Sequence, residues 1–208
     1  MSTRRRSGIA LLCLVLAAVF VALDHSAIGR KWQLWLTSAQ QSPAHDFNKY
    51  HGKTFMVIHV VDGDTLDIDI ADSNQSRTRI RLQGVDAPET GSEEFGVMYF
   101  GPEAAEFVKK LVLGKRVTVY LDEGSRTRGK YGRLLAYVQL ADRNYLNEVL
   151  LAEGFAYADL RFRHSLYNKY VQLEANGRSS RKGLWRAVKR EQLPDWLQRE
   201  KPTLLLSK

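Results

Sequence analysis

A chain of 208 residues with 44% hydrophobic content can bury the core of one modest domain without needing disulfides. Its formal charge is +8, of which Arg4, Arg5 and Arg6 supply three, leaving +5 for everything after them; that excess is compatible with an anionic partner such as nucleic acid but does not by itself establish one. The single cysteine, Cys13, lies in the N-terminal apolar run, which excludes disulfides, thiolate zinc sites and cysteine nucleophiles from the rest of the chain.

Arg4-Arg5-Arg6 precede an apolar run from Gly8 to Leu23, the charged and hydrophobic regions of an export signal. The run is shorter than the roughly 20 apolar residues of a spanning helix, but extends through Ala27-Ile28 if Asp24 and His25 sit at the interface. No clean small-x-small cleavage site follows it, which favours an uncleaved signal anchor with its arginines cytoplasmic. Leu12 is bulky where a lipid-modified cysteine usually follows a small residue. Residues 1–28 therefore read as a signal peptide or signal anchor. The remainder reads as extracytoplasmic, membrane-anchored by that segment or secreted if it is cleaved. Residues 29–50 read as a linker, although Trp32 and Trp35 beside Arg30 and Lys31 also suit an aromatic belt at a membrane surface.

From Phe55 the pattern changes to period two. Leu66, Ile68 and Ile70 alternate with Asp67 and Asp69, and Ile80 and Leu82 alternate with Arg79 and Arg81, as in half-buried antiparallel strands. Val117, Val119 and Leu121 begin another strand, and Leu134 to Leu140 follow the turn at Tyr131-Gly132. Pro102 occupies a first helical position, Ala104, Phe107, Val108 and Leu111 form one apolar face, and Gly114 can end that helix. Lys109 and Lys110 suit its last turn. A second helix is expected from an Asn147 cap through Leu151 to Gly154, and a third from Leu166 to about Arg181, with Trp185 as a core anchor. Five short strands and about three helices predict an α+β, mainly β chain, a five-stranded OB-fold barrel over residues 51–187. Residues 188–208 read as a charged C-terminal extension with Trp196 as a packing residue. His59 reads as structural and His164 as a loop residue.

The chemistry-bearing residues fall within this barrel. Asp62-Gly63-Asp64-Thr65, then Arg81, then Asp86-Ala87-Pro88-Glu89-Thr90 bring carboxylates and a cation together, and Lys130-Tyr131-Gly132-Arg133 adds a second cation. Hard divalent cations take oxygen ligands, and a phosphodiester needs its charge neutralised while water attacks, so this combination suits metal-assisted phosphodiester cleavage. Each piece also has a plain reading: Asp-Gly is a common turn, Asp86-Ala87-Pro88 a chain reversal, and Arg81 one more exposed strand charge beside Arg77 and Arg79. It is the joint appearance of the motifs that points to a site.

Through Asp-Gly-Asp-Thr, Arg-x-x-x-x-Asp-x-Pro-Glu-Thr, Gly-Pro-Glu-Ala (Gly101 to Ala104) and Tyr-Gly-Arg, the chain resembles the staphylococcal nuclease (thermonuclease) homologues over about Phe55 to Trp185. The resemblance implies an OB-type barrel and calcium-dependent hydrolysis of DNA and RNA that leaves 3′-phosphate ends. Residue by residue it implies Asp64, Asp86 and the Ala87 carbonyl as calcium ligands, with Asp62 a nearby supporting carboxylate. Glu89 would orient or deprotonate the attacking water. Arg81 and Arg133 would grip the phosphate, and Lys130 and Tyr131 would lie on the substrate side, where Tyr131 suits base stacking and packing equally. Calcium rests on the resemblance alone, since two carboxylates and a carbonyl accommodate magnesium as well.

The chain also departs from the family pattern. Glu93 and Glu94 stand in a loop where the staphylococcal member carries lysines, which weakens local attraction for polyanions and the preference for single strands. Gly129 replaces an aspartate before Lys-Tyr-Gly-Arg. The expected partners are DNA and RNA, together with a membrane through the N-terminal segment, and the expected state is a monomer. The alternative is a catalytically inactive OB-fold module binding nucleic acid or protein, against which the full set Asp64, Arg81, Asp86, Glu89 and Arg133 argues. A membrane-surface scaffold would leave that set unexplained.

Overall fold

The computed structural model describes residues 42–91 and 96–205. The expectations for the N-terminal segment 1–28, for residues 29–41, for Cys13 and for Glu93 and Glu94 lie outside them. Among the described residues, no helix is long and apolar enough to cross a membrane.

Period-two alternation becomes a closed five-stranded barrel. Its strands are β1 (Lys53–Val60), β2 (Thr65–Ile68), β3 (Thr78–Leu82), β5 (Arg116–Tyr120) and β6 (Leu134–Gln139), ordered β1-β2-β3-β6-β5. All neighbours are antiparallel except β3 and β6, which pair in parallel with Ile80 opposite Leu134. On β3 the expected alternation is explicit: Thr78, Ile80 and Leu82 are buried, while Arg79 and Arg81 are only partly so. Val57, Leu66, Ile68, Ile80, Val119, Leu134, Ala136 and Val138 fill the interior, as a small barrel requires. A two-stranded sheet, β4 (Val85–Asp86) with β7 (Tyr157–Ala158), flanks the barrel, with Asp86 opposite Tyr157.

The three expected helices are α2 (Gly101–Val112), α3 (Leu146–Ala152) and α4 (Tyr167–Ser179). Asn147 is not the cap of α3. It is fully buried inside the helix, where its amide accepts from Val138 N–H at 3.0 Å and donates to the carbonyls of Gln83 at 3.0 Å and Ala136 at 3.3 Å. The asparagine amide thus serves buried barrel backbone groups as both donor and acceptor, and it shares the Ala136 carbonyl with Gln83 N–H at 2.8 Å.

Two further helices replace what the sequence suggested was linker or tail. Helix α1 (Pro43–Tyr50) lies inside the stretch read as a linker to residue 50, yet its Asp46 and Tyr50 are fully buried. Asp46 accepts from Arg128 Nε at 2.8 Å and from Thr127 Oγ1 at 2.7 Å, and Tyr50 joins the main core. The C-terminal stretch is likewise more than a charged extension. Leu193, Trp196 and Leu197, on and before α5 (Asp195–Glu200), pack with Leu204, Tyr157, Leu184 and Trp185 in a second apolar cluster. Trp185 is the expected core anchor, at 6% exposure.

His164 lies in the loop before α4, as expected, and is buried there. Burial pushes its pKa down, and it meets the Tyr137 hydroxyl at 3.0 Å, a hydroxyl that donates to Asp122 at 2.5 Å. His59 stands 3.4 Å from the Asp67 carboxylate, which also takes Arg77 and Arg79.

Candidate active site

Strand register places the first carboxylate against the first cation. Thr65 pairs with Arg81 across β2 and β3, and Leu82 N–H donates to the Asp64 carbonyl at 2.8 Å, so Asp64 meets Arg81 side by side. The Asp62-Gly63 turn that delivers Asp64 is closed by Asp64 N–H donating to Asp62 Oδ1 at 2.9 Å, the usual service of an Asx turn. Gly63 packs so closely that a Cβ there would stand 2.6 Å from the Ala87 Cβ. The turn and the Asp86-Ala87 segment therefore fit together only because residue 63 has no side chain.

Arg81 holds two carboxylates at once. Its Nη1 lies 2.5 Å from Asp64 Oδ2 and donates to the Val85 carbonyl at 2.8 Å, while Nη2 donates to Asp86 Oδ1 at 2.5 Å. The plain reading of Arg81 as an exposed strand charge is thereby overturned, since its side chain is only 13% exposed. Asp64 is tied further by Ala87 N–H, donating to Oδ2 at 2.6 Å, and by the Thr65 hydroxyl, donating to Oδ1 at 3.0 Å. Burial pushes the Asp64 carboxyl well above its usual range against the pull of Arg81, and repulsion from Asp62 and Asp86 adds to it. Arg81 is held above its ordinary value by Asp64, Asp86, Asp62 and Asp159, which together outweigh burial.

Glu89 is exposed. Partial burial raises its pKa first, then the fields of Asp62 and Asp86, with Arg81 and Arg133 opposing. Glu89 therefore feels the charges of Asp62, Asp86, Arg81 and Arg133. Arg133 enters from the turn before β6, where Gly129 N–H donates to its carbonyl at 2.9 Å and Gly132 N–H to the Gly129 carbonyl at 3.0 Å. Its buried Nε has no protein partner, and its guanidinium lies 5.8 Å from the Tyr131 ring centre. Tyr131 is 74% exposed, with the Lys130 ammonium 5.3 Å from its ring centre. A cavity of about 520 Å³ beside them is lined by Arg77, Arg79, Tyr131, Gly132 and Arg133 with Asp72 and Gln75. Arg133 lines it, and Asp64, Asp86 and Glu89 do not.

The donor set fits a hard divalent cation: Asp64 and Asp86 share one guanidinium, all candidate ligands are oxygens, and carboxylate repulsion is the feature a dication relieves. Among the described residues no three His, Cys, Asp or Glu side chains group as a metal site, so the Asp64–Asp86 pair would rely on the Ala87 carbonyl and water to complete a shell.

Two residues at the site escaped the sequence reading. Arg161 Nη2 forms an ion pair with Asp86 Oδ1 at 3.0 Å and its guanidinium donates to Asp159 at 2.8 and 2.9 Å. Trp196 Nε1–H donates to Asp86 Oδ2 at 2.7 Å across 110 residues. Neither lies in a motif; Trp196 reads in the sequence only as a packing residue of a charged extension, and nothing marks Arg161.

The fold and this constellation define a barrel protein with an acidic and arginine-lined site. The profile of the family described as Staphylococcal nuclease homologue matches residues 79–187. The chain is 34% identical over 134 residues to the thermonuclease of Staphylococcus hyicus, covering 64% of this chain and 76% of that protein. It is 32% identical over 151 residues to an uncharacterized endonuclease of Escherichia coli O157:H7, covering 73% and 86%. It is also 32% identical over 131 residues to an uncharacterized protein of Bacillus anthracis, covering 62% of this chain and 59% of that relative, short of two thirds of its length. The chain belongs to the staphylococcal nuclease homologues.

Proposed function

We propose that this protein is a calcium-dependent nuclease, exported and held at the membrane by its N-terminal segment, that hydrolyses phosphodiester bonds of DNA and RNA and leaves 3′-phosphate ends. The observation that carries this reading is the Arg81 guanidinium bridging Asp64 and Asp86, with Glu89 and Arg133 in the same field. Relatives named thermonuclease and endonuclease support it.

Asp64, Asp86 and the Ala87 carbonyl would hold the cation, which when bound neutralises phosphate charge and polarises the bond to phosphorus. Glu89, exposed and raised in pKa, orients the attacking water or takes its proton. The oxygen of that water forms the new bond to phosphorus as the bond to the 5′-oxygen breaks; one water proton goes to Glu89 and on to solvent, and the departing 5′-oxygen takes a proton from solvent to leave as a hydroxyl. Arg133, with an unpartnered buried Nε, donates to the phosphate oxygens as their charge grows. Arg81 keeps the two acidic ligands together, and its Nε takes no part in the contacts to Asp64, Val85 and Asp86, which leaves that donor for phosphate. Tyr131 and Lys130 present an aromatic face and a cation to the strand beyond the cleaved bond.

The test is cleavage of single-stranded DNA and RNA by the full chain with calcium, with magnesium and with a chelator, beside Glu89→Gln and Arg81→Ala. Calcium-dependent cutting with 3′-phosphate ends, falling about 100-fold or more in each variant, is the expected result. A folded protein that binds the strand without cutting it would leave the OB-fold binding module instead.

A further inference from the structure

Asp86 is gripped from the far end of the chain. Its carboxylate has about four acceptor positions on two oxygens. Arg81 Nη2 donates to Oδ1 at 2.5 Å, Arg161 Nη2 stands 3.0 Å from the same oxygen as an ion pair, and Trp196 Nε1–H takes one position on Oδ2 at 2.7 Å. One acceptor position on Oδ2 is left. The indole is itself held flat, with the Arg161 guanidinium 4.6 Å from its ring centre, and it is 8% exposed within the C-terminal cluster. That cluster includes Tyr157, the β7 partner of Asp86. The same packing therefore fixes both the backbone and the carboxylate of Asp86.

We propose that Trp196 is a positioning residue for Asp86. On this reading the C-terminal segment Leu193–Leu204 is a working part of the active site: its indole N–H sets the carboxylate rotamer and leaves one Oδ2 position that a cation would take. The inference rests on the proposed role of Asp86 as a cation ligand. Ligating carboxylates owe affinity to the hydrogen bonds behind them, and loss of such a partner typically costs about 10–100-fold. An indole suits the task because it donates one hydrogen bond, accepts none and does not titrate.

The experiment is a calorimetric titration of calcium into the full-length protein and into Trp196→Phe, with thermal unfolding of both and the rate of single-strand cleavage as a function of calcium. Phenylalanine keeps most of the apolar contact and removes only the donor. We expect the calcium dissociation constant to rise by about 10-fold or more, and cleavage by the variant to be restored by raised calcium, a rescue that a merely structural role would not give. Equal calcium affinity in the two proteins overturns the inference and leaves the nuclease reading standing; a parent protein that binds no calcium overturns both. Should Trp196→Phe fail to fold, the indole N–H resonance of Trp196 in the unaltered protein answers the same question. Movement of that resonance as calcium saturates the site supports the inference, and a fixed resonance at saturation overturns it.

Discussion

Gly101 lies so close to Glu89 that a Cβ on it would stand 2.1 Å from the Glu89 carbonyl oxygen. Since that carbonyl also accepts from Met98 N–H at 3.0 Å, the backbone carrying Glu89 is clamped between the start of α2 and the preceding loop. Gly101→Ala should therefore displace Glu89 while leaving the barrel formed. Displacements of about 1 Å cost catalysis on the order of 100-fold, so kcat should fall by about that factor in a protein that still unfolds cooperatively. An alanine variant with parental kcat would show that the position of Glu89 is not set by this contact.

Arg81 should not be replaceable by lysine. One guanidinium reaches Asp64, Asp86 and the Val85 carbonyl together, a fork that a point-charge ammonium cannot reproduce. Arg81→Lys should lower kcat by about 100-fold or more. It should also destabilise the fold, because Asp64 and Asp86 would face one another with one bridge fewer; about 3 kcal/mol is the scale for a broken buried pair. Urea unfolding and single-strand cleavage of the same preparation would measure both, and a variant within threefold of the parent in rate would refute the bridging role.

What was legible in the sequence follows from the range of the forces involved. Strands and helices α2, α3 and α4 announce themselves because burial on one face writes a period of two or 3.6 into contiguous residues. That Asp64 and Arg81 share one site was legible through motif spacing, while their direct contact emerges only from the adjacency of the antiparallel strands β2 and β3. Trp196 and Arg161 were not legible, because their link to Asp86 closes across 110 and 75 residues with no local pattern to mark it. Helix α1 was missed for a related reason: only eight residues long, with a lone buried acid, it draws its stability from Arg128 and the core rather than from its own periodicity.

The Asp46–Arg128 pair makes that helix part of the folded unit. Asp46 is fully buried and receives three donors, Thr127 Oγ1, Arg128 Nε and Arg128 Nη2. Asp72 shares the same guanidinium, which keeps Arg128 strongly charged. Asp46→Ala should cost about 3 kcal/mol, the low end for breaking a buried pair, because Asp72 remains. For a domain of this size that lowers Tm by roughly 6–12 °C. A fragment beginning at Phe55 should be less stable still than one beginning at Ser42, since it also loses Tyr50 from the core. Equal melting temperatures for the two fragments would refute this.

Glu174 provides the pH-dependent prediction. It is 1% exposed on α4, where its Oε2 accepts from Ala158 N–H at 3.0 Å and ties the helix to β7. Burial raises its pKa above the ordinary 4.5, and Ala158 N–H, Lys201 and Arg178 only partly offset this. The native state therefore holds this proton more tightly than the unfolded chain does. Its stabilising contribution is complete below about pH 4.5 and is lost as pH rises through the raised native value. Glutamine keeps an acceptor for Ala158 and carries no charge, so Glu174→Gln should match the parent near pH 4 and become the more stable protein as pH rises towards 8. Each tenfold bias in proton affinity is worth about 1.4 kcal/mol, or roughly 3–6 °C in Tm for a domain of this size. Thermal unfolding of both proteins from pH 4 to pH 8 measures the divergence. Parallel curves, or a glutamine variant less stable at pH 8, would mean that the ionised carboxylate is fully compensated by Arg178 and Lys201.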